Sequence, residues 1–189
     1  GVAPDDVDAA FEAAARWFRE VIVEEQLHGR DYRVLVVGGR VVAASERLPA
    51  RVVGDGERSI EALVELTNAD PARGDGHAAP LTRITLDEAA VRALRRRGLA
   101  PGSVPARGEV VAVRETANLS TGGTARDVTD EVHPDVRRVC ERAARVVGLD
   151  VAGIDLILPD IARPLERGGV IEVNAAPGLR MHHHPSEGA

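Results

Sequence analysis

Apolar side chains recur along the first half of the chain with two different periods. Between residues 7 and 18 they return every three or four positions, which predicts an opening helix. The stretch 21–25 is rich in valine and predicts a strand. Residues 32–47 form two further valine-rich stretches joined by Gly38-Gly39, and a glycine pair between two such stretches predicts a β-hairpin.

The second half of the chain repeats this alternation of strands and helices. A strand is predicted at 109–114, and a helix is predicted to begin at Pro134 and to end at Gly148. Two last strands are predicted at 151–158 and 169–174, where they are expected to pair as a hairpin. The pattern predicts an α+β fold with a mostly antiparallel sheet and packed helices.

The segment from about residue 48 to residue 108 differs in character from the rest. It is rich in glycine, proline and charge, with Ser59 placed to cap one short helix. Thr85 and Glu88 have the spacing of a capping box for a second helix. We interpret residues 48–108 as a lid-like insertion within the domain.

Composition narrows the class of protein further. The chain has 189 residues, 44% of them apolar, and no apolar run near the roughly twenty residues that cross a bilayer. We therefore expect a soluble, cytoplasmic domain with no membrane partner. A formal charge of −6 argues against nucleic acid as a partner, because duplex binding needs a basic surface. Cys140 is the single cysteine and is expected to be a small buried residue.

All 24 basic residues are arginines, so the chain contains no lysine. This excludes a lysine-containing phosphate loop, a Schiff-base lysine and a lysine general base within these residues. Any positive charge in a binding site must come from arginine.

The two last predicted strands hold the sharpest chemical pattern. The strand period of two puts Asp155 on the face opposite Ile154, and it puts Glu172 and Asn174 together on one face. If the strands pair, three oxygen ligands converge, and carboxylates without a basic partner favour capture of a hard cation such as Mg²⁺. The alternative is that these side chains are solvated residues on an exposed hairpin.

Five segments together resemble one known family. The chain resembles ATP-grasp carboxylate-amine ligases such as D-alanine-D-alanine ligase and glutathione synthetase, and within them it is most similar to the cyanophycin synthetase family. The similarity extends over nearly the whole chain. The segments are YRVLVVGGRVVAASER, VVGDG, NLSTGGTARDVTDEVHP, VAGIDLILPDIARPL and EVNAAPGLRMHHHPSEG.

The resemblance implies a site for ATP and Mg²⁺. Asp155, Glu172 and Asn174 would hold the metal ions that bridge the ATP phosphates. The Asp31 carboxylate would accept hydrogen bonds from the ribose hydroxyls. The adenine would lie against a hinge whose members are Glu24, Glu25, Gln26 and Leu27. Without the resemblance, these hinge carboxylates would be interpreted as a solvated acidic patch on the surface.

Three further residues become candidate catalytic groups through the resemblance. Arg47 and Arg114 would face the cleft and contact the transferred phosphate or a substrate carboxylate, which the planar guanidinium binds with two bonds. Asn118 opens a loop with two adjacent glycines where substrate must come close. The alternatives are a structural ion pair for each arginine and a plain turn for the loop.

The activity implied is ATP-dependent amide-bond formation through an acylphosphate. In the family resembled, this domain adds aspartate to the C-terminal backbone carboxylate of a growing Asp/Arg polymer, and the full-length enzyme is expected to be a homo-oligomer. Two alternatives stay open. In the first, the chain is an ATP-grasp module of a bifunctional glutathione synthetase. In the second, it is an inactive ATP-grasp-like binding domain.

The chain also departs from the family pattern. Many ATP-grasp ligases have an arginine two residues before the first metal aspartate, where this chain has Gly153, so the oxyanion-stabilising residue is unidentified. The family's glycine-rich phosphate loop and nucleotide-binding lysines precede the region matched here. We therefore interpret residues 1–189 as a partial ATP-grasp domain that is inactive alone.

Histidines contribute one further set of expectations. His182, His183 and His184 are expected to be exposed or to face substrate. Consecutive residues of an extended segment point to opposite sides, so the three are not expected to chelate one ion. His133 is expected beside a helix cap, and His77 has no assigned role.

Overall fold

A computed structural model describes residues 7–75 and 79–186. Two short 3₁₀ helices lie at Leu119–Thr121 and Thr129–Glu131 among its helices and strands. In chain order the elements are α1 (Val7–Ala15), β1 (Arg30–Val37), β2 (Arg40–Leu48), β3 (Arg51–Val53), α2 (Ile60–Asn68), β4 (Arg73–Gly74), β5 (Leu81–Thr82), α3 (Glu88–Arg96), β6 (Val110–Ala112), β7 (Thr124–Asp127), α4 (Pro134–Val147), β8 (Val151–Leu158), β9 (Gly169–Asn174) and α5 (Arg180–His183).

A five-stranded sheet forms the centre of the fold. Its spatial order is β7-β2-β1-β8-β9, and every neighbouring pair is antiparallel. The predicted hairpin between β1 and β2 is confirmed, with Gly38 and Gly39 at φ 57° and 73° in the turn. The predicted pairing of β8 with β9 is also confirmed. These observations confirm a mostly antiparallel α+β fold.

One face of this sheet is apolar and packs against α4. Strand alternation sends Ile154 and Leu156 into this core, where both are fully buried. Cys140 of α4 lies in the same cluster, so its predicted role as a small core residue is confirmed. Gly148 ends α4 in the left-handed conformation, as predicted. The opposite face carries three buried polar residues, Arg33, Ser45 and Asp155.

The segment between β2 and β7 has a hydrophobic cluster of its own. β3 pairs with β6 at its base, while α2 and α3 cover the cluster. Ser59 caps α2 by accepting from the Ala62 amide, as predicted. The members of this cluster are Ala50, Val52, Ile60, Leu63, Val64, Ile84, Leu94, Val111 and Val113. Residues 48–108 thus contribute most of a second core, and their lid-like motion stays a prediction.

Two local predictions are wrong. Residues 21–25 form no strand, and Ile22 and Val23 are 77% and 80% exposed, since no strand of the described chain pairs with them. The helix α3 is capped by Asp87 rather than by Thr85, because the Asp87 carboxylate accepts from the Ala90 amide. An apolar stretch becomes a strand only where a partner strand supplies hydrogen bonds.

The remaining sequence expectations concern the ends of elements. His133 is itself the N-cap of α4, since its Nδ1 accepts from the Asp135 amide. α1 has no buried residue, and Trp17 and Phe18 lie beyond its end. His77 lies outside the described residues. Within residues 7–75 and 79–186, no helix is long and apolar enough to cross a membrane.

Candidate functional site

Polar side chains form a continuous row across the face of the sheet that turns away from α4. The strand register places five residues directly opposite one another on successive strands. Directly opposite residues of antiparallel strands project from the same face. The row consists of Glu172 on β9, Asp155 on β8, Arg33 on β1, Ser45 on β2 and Asp127 on β7.

Asp155 and Arg33 form the centre of this row. Arg33 donates from Nη2 to Asp155 Oδ2 at 3.0 Å, and its Nε donates to Oδ1. Both residues are buried, with 8% and 7% of their surface exposed. The sequence-based expectation that the carboxylates have no basic partner is therefore wrong, because β1 places an arginine opposite Asp155.

Arg47 connects this pair to Asp31. Its Nη2 lies 3.2 Å from Asp155 Oδ2, and its Nε donates to Asp31 Oδ1 at 2.7 Å. Asp31 lies two residues before Arg33 and therefore shares its face of β1. Burial raises the pKa of Asp31, and the Arg47 guanidinium opposes that rise. The structure thus joins two predicted site residues, Arg47 and Asp31, to the predicted metal ligand.

Glu172 and Asn174 lie at the edge of the row. Glu172 is exposed, and Asn174 donates weakly from Nδ2 to the Gly153 carbonyl at 3.4 Å. The Asn174 carboxamide oxygen and the Glu172 carboxylate are hard ligands of the kind that Mg²⁺ prefers. The chemistry of this donor set fits a magnesium ion, and Asp155 is paired with Arg33 and Arg47. Among the described residues, no group of three His, Cys, Asp or Glu side chains is placed to hold a metal ion.

Gly153 explains how Arg33 reaches its position. A Cβ on Gly153 would lie 3.2 Å from Arg33 Cδ and 3.3 Å from Arg33 Nη1, and 2.5 Å from Pro177 Cβ. The bare backbone therefore leaves the space that the Arg33 side chain occupies. Arg33 was not predicted from the sequence. The signal that could have found it is Gly153, which stands where the family resembled often has an arginine.

The four predicted hinge residues lie between α1 and the strand that follows them. Glu25, Gln26 and Leu27 line a cavity together with Glu166 and Arg167. Glu24 lines a neighbouring cavity that also contacts α1. Backbone groups without secondary-structure partners run through this segment, which suits a purine edge. Their role in adenine binding stays a prediction.

Arg114 and Asn118 occupy different surroundings. Arg114 is buried and donates to the Asp87 carboxylate at 2.7 Å and to Thr85, both within the second core region. Its Nε is buried without a hydrogen-bond partner among the described residues. Asn118 is exposed and lines a cleft of about 480 Å³ together with Asp31 and Arg47. The structure brings Asn118 to the polar face and gives Arg114 a structural ion pair.

His182 is a second residue of this face that sequence reasoning did not assign. Its Nδ1 lies 3.0 Å from Ser45 Oγ, while its Nε2 is buried without a partner among the described residues. His183 and His184 are exposed, so one histidine of the three turns toward the sheet. Burial, together with the nearby Arg33 charge, lowers the pKa of His182 to about 4. His182 is therefore neutral at pH 7.

The fold and the composition of this site define a class of protein. Residues 107–187 match the RimK-like ATP-grasp domain. This match includes Asn118 and all three predicted metal ligands. The match over these residues confirms the resemblance to ATP-grasp proteins predicted from the sequence.

Individual relatives cover nearly the whole chain. Over 97% of its length it is 50% identical to a cyanophycin synthetase of Trichormus variabilis, of which it covers 21%. It is 41% identical over 97% of its length to a glutathione biosynthesis bifunctional protein of Mannheimia succiniciproducens, covering 25% of that protein. The crystal structure of a bifunctional glutathione synthetase from Pasteurella multocida has a TM-score of 0.75 and 40% identity over 98% of this chain and 25% of that one. The chain spans about a fifth to a quarter of the length of these relatives.

Proposed function

We propose that this chain is part of an ATP-dependent carboxylate-amine ligase that adds aspartate to the C-terminal backbone carboxylate of a growing Asp/Arg polymer, cyanophycin. The observation that carries the proposal is the row of polar side chains on one face of the central sheet, centred on Asp155 and Arg33. The 50% identity to a cyanophycin synthetase supports the choice of substrates.

The reaction joins a carboxylate to an amine at the expense of ATP. ATP supplies the γ-phosphoryl group, the primer carboxylate accepts it to form an acylphosphate, and the aspartate amine displaces phosphate to leave an amide. Catalysis of this kind depends on positioning and on neutralising charge at the phosphoryl oxygens. In this proposal the polar face would meet both requirements with side chains held on its strands.

Each predicted residue has a role in this proposal. Glu172 and Asn174 would hold Mg²⁺ with Asp155, while Arg47 would neutralise phosphate or carboxylate oxygens in the cleft that it shares with Asn118. Asp31 would bind the ribose. The hinge residues Glu24, Glu25, Gln26 and Leu27 would lie against the adenine.

Arg114 has a less direct place in the reaction. Its ion pair with Asp87 anchors the start of α3. The pair would have to open before Arg114 bound substrate, so we assign it to positioning the segment that leads to Asn118. This assignment replaces direct phosphate contact as its proposed role.

A glutathione synthetase module is the alternative function. The similarity in structure to the Pasteurella protein and the 41% identity to the Mannheimia protein favour it. A binding domain without activity is a weaker alternative, since the chain retains Asp155, Glu172 and Asn174 on one face. The alternatives differ in substrate and can be separated in solution.

The test uses the full-length protein with ATP and Mg²⁺. Phosphate release is measured with aspartate and an Asp/Arg primer, and separately with glycine and the dipeptide from which glutathione is built. We expect release and primer extension only in the first mixture. Release only in the second mixture would select the glutathione alternative, and release in neither would favour the inactive domain.

Residues 1–189 alone are proposed to release phosphate far more slowly than the full-length protein. Loss of a single hydrogen-bond donor directed at the developing charge commonly lowers the rate about a hundredfold. Comparable release from both would contradict this proposal. We further propose that the full-length enzyme is a cytoplasmic homo-oligomer, which sedimentation and fractionation would test.

A further inference from the structure

Four charged groups on the polar face form a closed ion-pair cluster. Arg33 and Arg47 both contact Asp155, and Arg47 also contacts Asp31. The side chains of Asp155, Arg33 and Arg47 are 9%, 10% and 12% exposed. Two carboxylates and two guanidinium groups cancel, so the cluster is neutral when no ligand is present.

This neutrality conflicts with the predicted use of Asp155 as a metal ligand. A divalent cation at Asp155 would lie beside two buried arginines, and at this depth like charges repel strongly. Removing both arginine bonds without replacement would also leave Arg33 a buried cation without its carboxylate partner, which is costly, whereas Arg47 would keep Asp31. A cation therefore binds well here only together with an anion that takes over the arginines.

From this conflict we propose that Arg33 and Arg47 are exchangeable counterions of Asp155. They neutralise the carboxylate in the free protein, and they transfer to the anionic oxygens of a polyphosphate ligand when a divalent cation takes Asp155. Arg33 is the principal member, since it holds both carboxylate oxygens. The inference rests on the proposed function and adds two residue roles to it.

The geometry around Arg33 is suited to such an exchange. Its Nε and Nη2 bond Asp155, while its Nη1 makes no hydrogen bond to a described residue. Nη1 lies over Gly153, where the missing Cβ leaves space. A guanidinium binds phosphate and carboxylate with the same planar fork, so one bidentate partner can replace the other.

The decisive measurement separates cation binding from anion binding in the full-length protein. Mn²⁺ affinity is measured by electron paramagnetic resonance without nucleotide, and ADP affinity is measured by calorimetry at saturating Mg²⁺. In R33Q we expect Mn²⁺ to bind at least about fivefold more tightly, the lower end of typical coupling between sites. We expect ADP to bind about tenfold more weakly, because a charged hydrogen bond is lost. A merely structural role would weaken both.

Three further variants serve as controls. R47Q removes the second counterion and is expected to shift both affinities in the same directions as R33Q, which keeps the test valid if R33Q does not fold. R126Q removes an arginine from the opposite face, where it pairs with Glu46, and is expected to leave both within about twofold. In D155N, adding R33Q should give no gain in Mn²⁺ affinity.

The outcomes distinguish this inference from the proposed function. Unchanged or weaker Mn²⁺ binding in both R33Q and R47Q would overturn the counterion exchange while leaving ligation by the wild-type protein intact. Failure of the wild-type protein to bind ADP or to extend a primer would instead overturn the proposed function. A gain in Mn²⁺ affinity that persists in the D155N background would show that the arginines act elsewhere.

Discussion

Glu172 lies directly opposite Asp155 on the neighbouring antiparallel strand, so the two carboxylates project from one face of the sheet. Their surroundings differ, because Asp155 is buried between arginines whereas Glu172 is exposed. The pair therefore places one exposed carboxylate and one ion-paired carboxylate on the same face of the sheet.

Replacing Glu172 with alanine is expected to reduce ligation at least about a hundredfold, because a ligand of the metal would be lost. The free energy of unfolding should change by less than about 0.5 kcal/mol, since Glu172 is exposed. Phosphate release and urea denaturation measure the two effects. Glu65→Ala, another exposed carboxylate, is the control and should keep full activity. Normal turnover in Glu172→Ala would remove Glu172 from the site.

Gly153→Ala should damage both stability and activity. The added Cβ would lie 2.5 Å from Pro177 Cβ and 3.2 Å from Arg33 Cδ, so the neighbours must shift. Overpacking of this kind typically costs about 1–3 kcal/mol. Gly102→Ala is the control, because a Cβ there meets nothing within 4 Å. Thermal unfolding and ligation rates would reveal the difference, and identical behaviour of the two variants would contradict the close packing of Arg33 over Gly153.

Acid should destabilise the fold partly through His182. Its folded pKa of about 4 lies below the ordinary histidine value of about 6.5, so unfolding takes up a proton between these values. The stability that neutral His182 provides is complete above pH 6.5 and is lost as pH falls toward 4. His182→Gln should therefore flatten the fall of the urea midpoint across this range. The exposed His183→Gln should match wild type, and an equal slope in all three proteins would argue against a buried neutral His182.

Hydrogen exchange should separate the two hydrophobic clusters. β8 lies between β1 and β9 in the five-stranded sheet and packs against α4. α2 packs on the second hydrophobic cluster, whose base is the short β3–β6 pair. We expect amides of α2 to exchange faster than those of β8, since elements that gate a site come from the less stable parts of a fold. Equal protection would mean that residues 48–108 are part of the core and do not act as a lid.

Local patterns in the sequence predicted the central hairpins well. The periodicity of residues 151–158 and 169–174 correctly gave both strands, the face of Asp155 and the shared face of Glu172 and Asn174. Alternation is a property of any strand, so the sequence alone decides which side chains share a face. Glycine at 148 likewise predicted the end of α4 from its conformational preference.

Local sequence patterns could not predict the side-chain contacts between strands of the sheet. Arg33 and Asp155 are 122 positions apart, and only the pairing of β1 with β8 makes them partners. The burial of His182 similarly depends on α5 packing over β2. The exposed state of residues 21–25 depends on the absence of a partner strand within the described chain. The sequence by itself thus determined the central strands, helix α4 and the oxygen-bearing side chains that share the polar face, because these follow from backbone geometry and residue type. Only the tertiary structure decided which charges neutralise one another, because ion pairing depends on distances between segments that are remote in sequence.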